Sequence, residues 1–360
     1  MSSIVRAPYP LSTKPDLEET ARRWEAFLAG DIIDRPLVTV TAPLPNAPKV
    51  EPITYRDKHF GDIDEIYDRV LASAEHTYYA GEAIPSFGPS FGCDEIAVWC
   101  SAADFGFSED SPDTCWSAPT VQDWDAALPF RIRREHPLWQ RMVRFYERGA
   151  ERLAGKVLLT PPDLHTNMDL LMAARGSERL CADLIDRPEV IDRAMVSARA
   201  VFRELWETVV RAGKMNERGI SNGLYSMDGA AVLQCDFSYM ISPAMFRRWA
   251  LPALEEEASL VKNMYYHWDG PGALVHFDAL MGIPQLRAVG YVPPPYLRHT
   301  DYIDLYKRVQ AAGKGVSVWG TPDEMKRIHK ELRPEKTMYA TWVDTPAEAD
   351  AVLEWFVKNT

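Results

Sequence analysis

The chain has 360 residues, 46% hydrophobic and 26% charged, with 40 Lys and Arg against 52 Asp and Glu for a net charge of −12. That length fits one large domain or two ordinary ones, and so ordinary a composition excludes disorder, a collagen-like repeat and a small disulfide scaffold. The acidic balance argues against a duplex-binding surface, which needs clustered cations, so no nucleic-acid partner is expected.

The N-terminal stretch has no apolar run of the length a signal peptide needs. No window approaches the roughly 18 apolar residues of a membrane helix, so no membrane partner is expected. The cysteines are Cys93, Cys100, Cys115, Cys181 and Cys235, odd in number and without a C-x-x-C pair. This reads as reduced thiols in the cytoplasm.

Residues 1–33 read as an N-terminal helical segment. Its helix spans 14–29, with Pro15 at a first helical position, Trp24, Phe27 and Leu28 on one face and Gly30 as the stop. A buried strand follows at 35–41, then a helix at 62–79 and a second strand at 83–87. Residues 88–137, rich in Gly, Pro, Ser and Asp, read as a long irregular excursion of the kind that covers a binding site. Thereafter strands at 156–160, 219–224, 263–267, 286–291, 316–319 and 338–343 alternate with helices. Short apolar strands alternating with amphipathic helices demand a parallel sheet covered by helices. Eight such strands over 34–360 point to an α/β fold, a single (β/α)8 TIM-like barrel. The rival open sheet lacks its G-x-G-x-x-G turn, since 41–49 contains no glycine.

In such a barrel, chemistry sits at the C-terminal strand ends. The third strand exits into Asp163, Asn167 and Asp169, and the fourth through Tyr225 and Asp228 on to Gln234 and Asp236. The fifth exits at Tyr266-His267-Trp268-Asp269, the seventh at Trp319 and the eighth at Trp342. Residues two apart on a strand face one side, so His267 and Asp269 could share a divalent metal or form an acid–base pair. The plainer alternative is a hydrogen-bonded barrel histidine beside a helix-capping aspartate. Gly270 and Gly272 would open a helix whose free N–H groups suit an anion. His276 and Asp278, further along, read as helix-surface or interface residues. Asp236, flanked by Leu233 and Phe237, could carry a raised pKa and move a proton, or accept backbone hydrogen bonds as a loop carboxylate. Asp163, Asn167, Asp169 and Gln234 are candidates to hold polar groups of a substrate. Tyr225, Tyr266, Trp319 and Trp342 are candidates to wall its pocket, although such aromatics often serve packing.

Several pieces recur in a telling order: Asp34-Arg35-Pro36, Asp186-Arg187-Pro188-Glu189, Asp236-Phe237-Ser238 with Ile241-Ser242-Pro243, His267, Trp319-Gly320-Thr321-Pro322 and Asp344-Thr345-Pro346. Together they make the chain resemble the uroporphyrinogen decarboxylase superfamily over most of its length. The resemblance implies a (β/α)8 barrel. It also implies either the haem-pathway decarboxylation or methyl transfer to or from corrinoid proteins and thiols. The decarboxylases' arginine-bearing loop after the first strand is replaced here by Ala42-Pro43-Leu44-Pro45-Asn46-Ala47, and an acidic mouth would repel a polycarboxylate. The zinc methyltransferases' His-x-Cys becomes His267-x-Asp269, with no cysteine after Cys235. A thiolate-rich zinc site therefore does not carry over. A harder His/Asp site for Zn²⁺ or a comparable ion does.

The expectation is thus a cytoplasmic enzyme acting on a small polar molecule, cationic or polyhydroxylated, by methyl transfer or demethylation. Asp236, His267 and Asp269 would be catalytic, and His267 and Asp269 the metal ligands. The chain has no corrinoid signature of its own, so any corrinoid would come on a partner protein. One alternative is a cofactor-free decarboxylase or other lyase of a small acid. Another is a non-catalytic ligand-binding barrel. Oligomeric state is open.

Overall fold

The structure, a computed structural model, describes residues 6–101, 103–108 and 111–360. Among these described residues thirteen strands occur in chain order. They are β1 Leu37–Pro43, β2 Thr77–Gly81, β3 Ser86–Phe87, β4 Phe105–Ser108, β5 Ser111–Ser117, β6 Leu158–Leu159 and β7 Ile220–Asn222. The series continues with β8 Leu224–Ser226, β9 Ala231–Leu233, β10 Met264–Asp269, β11 Leu286–Val292, β12 Gly315–Trp319 and β13 Thr337–Trp342. Seven make one sheet in the order β2-β1-β13-β12-β11-β10-β9. Every neighbouring pair in it is parallel except β1 with β2. β3 and β6 form a separate parallel pair. Among the described residues no hydrogen-bonded ladder joins that pair to either edge of the seven-stranded sheet. Among the described residues no helix is long and apolar enough to cross a membrane.

The strands are near-continuous apolar runs because both faces are covered. One face of β1, β12 and β13 buries Val38, Val40, Val316, Val318 and Tyr339 in the larger core with the helices. The other face of the sheet builds a second cluster. In it Leu37, Tyr225, Tyr265, Ala288 and Met338 meet Leu17, Ala21, Trp24 and Phe27 of the helix Leu17–Ala29. That helix stops where Gly30 takes a left-handed conformation, φ 75°, with its N–H returned to Phe27 O. Gly290 answers a different need: a Cβ there would fall on the Tyr265 hydroxyl.

Three expectations change. The helix expected at 62–79 ends at Glu75, and Thr77–Gly81 is instead β2, the antiparallel edge strand beside β1. The fourth parallel strand is β9, not 219–224. Residues 220–226 fold into an antiparallel hairpin, β7 with β8, turning at Gly223. Its second arm returns toward the start of β10, where the Asn263 amide donates to Ser226 Oγ (3.2 Å) and Gly229 O (2.9 Å). The excursion after the second strand is also more regular than its composition suggests. It holds the helix Glu95–Cys100, the β4–β5 hairpin and the short helix Trp124–Ala127, while residues 102, 109 and 110 lie outside the described residues.

Candidate active site at the strand ends

Asp163 follows β6 and is fixed from three sides. Its N–H donates to Ser90 Oγ (2.7 Å), its Oδ1 accepts from Gln234 Nε2 (2.8 Å), and its Oδ2 lies 3.2 Å from His165 Nε2. The other nitrogen of His165, Nδ1, lies 3.9 Å from both Asp169 Oδ2 and Asp236 Oδ2. Those gaps are too long for hydrogen bonds. They are wide enough for a bridging water or a cation. Asp169 sits in the first turn of the helix Asn167–Arg175 and accepts the backbone N–H groups of Asp236 (3.0 Å) and Phe237 (2.8 Å). It thereby ties the segment after β9 to the helix after β6.

The shell behind this group is built as tightly. Asn167, at φ 46°, is in the left-handed region that asparagine tolerates best among side-chain-bearing residues. Its amide donates to Gln234 O (2.9 Å) and faces Glu257 Oε2 (3.4 Å), while Thr166 Oγ1 donates to Glu257 Oε1 (2.7 Å). Asn167 and Gln234 are therefore fully engaged with the protein and set the positions of Asp163 and Asp169. Burial raises the Glu257 carboxyl to about 8, against the smaller lowering effect of its two hydrogen bonds.

Burial opposes a charged His165. The hydrogen bond to Asp163 and the charges of Asp163, Asp169 and Asp236 outweigh it and hold the imidazolium up to about 9. Burial likewise pushes Asp163 upward, but the bond to His165 wins and keeps that carboxyl below its ordinary value. Asp169 and Asp236 both move up, first because they are desolvated, and Asp169 further because Asp236 is beside it. Asp236 Oδ1 is buried without a hydrogen-bond partner, although the side chain as a whole is 30% exposed.

The structure gathers Asp163, Asn167, Asp169, Gln234 and Asp236 around a residue the sequence reading passed over, His165. It stands between Asp163 and Asp169 in the irregular segment that precedes the helix Asn167–Arg175. His267 and Asp269 end β10 close enough for their charges to act on Asp236. The groups in which three potential metal ligands converge are His165 with Asp169 and Asp236, and Cys93 with Asp163 and His165. Among the described residues, neither His267 nor Asp269 belongs to one. Potential metal ligands therefore converge around His165 and not at the His267–Asp269 pair.

Other candidates lie elsewhere. Tyr225 is on the returning arm of the hairpin and packs with Trp24 and Phe27 at the far end of the strands. Asp228, just beyond it, acts on Glu25 of the N-terminal helix. Tyr266 is the exception: alternation along β10 turns it and Trp268 away from His267, and both are buried, but Tyr266 lies within reach of the Asp169 and Asp236 charges, whereas Trp268 Nε1 donates to Ala273 O (3.1 Å). Trp319 and Trp342 do stand exposed at their strand ends, Trp319 edge-on to His299 at 4.3 Å. His276 is structural, stacked on Phe246 and bonded to Ser238 O. Gly270 and Gly272 make room for the Tyr239 ring rather than for an anion. A cavity of about 780 Å³, lined by Lys14, Arg23, Glu75, Tyr79, Glu82 and Lys156 beside the N-terminal helix, lies away from this group.

No family model and no curated protein matches the sequence. Among solved structures, a methyltransferase from Methanosarcina mazei is similar over 94% of this chain and 98% of that one, with a TM-score of 0.60 at 12% sequence identity. At that identity the likeness is one of fold, a mixed α/β architecture shared along nearly the whole of both chains.

Proposed function

We propose that this chain is an enzyme of the uroporphyrinogen decarboxylase superfamily, a cytoplasmic (β/α)8 barrel in which β3 and β6 complete the ring begun by the six parallel strands of the main sheet. It would transfer or remove a methyl group on a small polar molecule. The observation that carries this is the pairing of Asp169 and Asp236 beside His165 at the strand ends, two carboxyls with one free oxygen between them. Taking a methyl group from oxygen or nitrogen leaves a basic heteroatom that needs a proton. The pair holds one, and Asp236, the more exposed member, delivers it. Asp163, Asp169, Asp236 and Asp269 give the rim a negative field, which favours a cationic or polyhydroxylated substrate over a polyanion. A divalent cation held at His165 would add Lewis acidity.

The methyl acceptor would be a corrinoid on a partner protein. The same end of the molecule exposes Tyr239, Met240, Val275, Tyr296, Leu297 and Trp342 on segments that follow β9, β10, β11 and β13. An apolar collar around a polar site suits a protein partner. The test is to supply small methylated amines and ethers with free cob(I)alamin and follow its methylation spectroscopically. The reading expects turnover that falls about 10²–10⁴-fold in Asp236→Asn. It is overturned if no methylated donor is consumed while a small acid loses carbon dioxide. That second reading, a cofactor-free lyase, draws on the same raised carboxyl pair and expects turnover to survive exhaustive chelation.

A further inference from the structure

The carboxyl pair accounts for only one side of His165. On its Nε2 side lies a second group. Asp163 Oδ2 and His165 Nε2 are 3.2 Å apart, and the Cys93 thiol, a carboxylate oxygen of Asp163 and a ring nitrogen of His165 all lie within 4.8 Å of one another. Cys93 comes from the segment before the helix Glu95–Cys100, and the other two from the segment after β6, so two independent loops converge here.

The separation between Asp163 and His165 is long for a charge-assisted hydrogen bond. It is close to the edge of a tetrahedron whose centre lies about 2.0–2.1 Å from nitrogen and oxygen ligands, which is about 3.3 Å. Asp163 is also held as a ligand would be. Gln234 occupies Oδ1 and Ser90 takes the backbone N–H, leaving Oδ2 free to face His165. His165 is oriented the same way, because Asp169 and Asp236 both stand on the side of its other nitrogen. Those two carboxylates stand 3.9 Å off, so they face the far nitrogen electrostatically and leave Nε2 turned to Asp163.

A separate observation comes from Glu95. It is fully buried, and its Oε2 accepts the N–H of Phe91 (2.6 Å). Its Oε1 is buried with no partner at all, and the charges that act on it are Asp163, Lys58 and His165. An unpaired buried carboxyl oxygen is costly. Beside this cluster it is an acceptor waiting for a donor.

We propose that Cys93, Asp163 and His165 form a three-ligand site for a thiophilic divalent cation such as Zn²⁺, with the fourth position left to water or substrate and Glu95 as the acceptor for that water. One sulfur, one nitrogen and one oxygen with an open position is the pattern of a catalytic rather than a structural zinc site. The thiolate comes from the excursion after the second strand, so it compensates for the absence of cysteine beside His267. The inference does not depend on the methyl-transfer reading, since it is tested by metal binding alone.

The test is to strip the full-length protein with a chelator and titrate it with Co²⁺. The expected result is one ion per chain with a thiolate-to-cobalt charge-transfer band in the near ultraviolet. Cys93→Ser should abolish the band and weaken binding at least about tenfold, and His165→Gln should do the same. Asp236→Asn and His267→Ala should retain both band and stoichiometry. Circular dichroism of each variant separates loss of a ligand from loss of fold. Cys93 is exposed, which makes its replacement mild. A native protein that takes up no cobalt, or a band that survives Cys93→Ser, overturns the proposal. So does binding lost in Asp236→Asn or His267→Ala but kept in Cys93→Ser, which would place the ion among the other donors.

Discussion

The Asp169 carboxylate accepts the backbone N–H of Asp236 at 3.0 Å, so the residue that lends Asp236 its position also feels the Asp236 charge. Two carboxyls held in this way release their protons in two steps that belong to the pair. If the singly protonated pair is the working form, the rate falls on both sides of an optimum. Asp169→Asn leaves one carboxyl, which ionises in a single step, and the high-pH limb should move to lower pH. The pH–rate profile checks this, and an unmoved upper limb would remove the pair from the mechanism. Asp169→Ala should in addition destabilise the fold, since each backbone donor left without an acceptor costs about 1–3 kcal/mol.

Glu257 gives a pH signature independent of catalysis. Burial raises its carboxyl from 4.5 in the unfolded chain to about 8 in the folded one, so between those values the native state binds the extra proton. Its contribution to stability is present at low pH and lost as pH rises through about 8. Glu257→Gln should flatten the decline in stability between about pH 5 and 8, as read from denaturant midpoints. Parallel curves for the two proteins would show that Glu257 is ionised throughout.

His299 runs in the opposite direction. Burial lowers its imidazole from 6.5 to about 4, its Nε2 has no partner, and its Nδ1 meets the Tyr306 hydroxyl (2.5 Å). The folded state therefore resists the proton that the unfolded chain takes up. Stability should be full above about pH 6.5 and fall towards pH 4. His299→Phe should lessen that acid sensitivity while leaving the Tyr306 hydroxyl without its partner. Equal acid midpoints for the two proteins would contradict it.

Packing at β11 offers a test with no titration in it. Gly290→Ala places a methyl group on the Tyr265 ring, an overpacking that should cost about 1–3 kcal/mol. Tyr265→Phe in the same chain removes the nearest atom and should recover part of the loss, as measured by thermal unfolding. Additive losses in the double variant would show that the two side chains do not meet.

Long apolar runs were legible in the sequence. The expected strands at 286–291, 316–319 and 338–343 are observed as Leu286–Val292, Gly315–Trp319 and Thr337–Trp342. The fourth strand was not, because two short apolar runs lie close together and periodicity cannot choose between them. Tertiary bonds choose: Val232 N–H donates to Asn222 Oδ1 (2.6 Å), and β9 pairs with β10. That choice carried Tyr225 and Asp228 to the far end of the molecule. The acidic residues of the site could be read from strand-end logic alone. His165 could not, because it stands in an irregular segment where no face or period marks it. Cys93 gains meaning only from a contact that crosses some seventy positions of sequence.

The helix Leu17–Ala29 has a consequence for traffic. Trp24 and Phe27, with Tyr265 and Met338, stop the far end of the strands with fully packed side chains. The opposite ends of the strands, among the described residues, carry the exposed Trp319 and Trp342 instead of such a plug. On the proposed methyl transfer, a small donor and a protein-borne acceptor that both come to that end would have to take turns there rather than visit together.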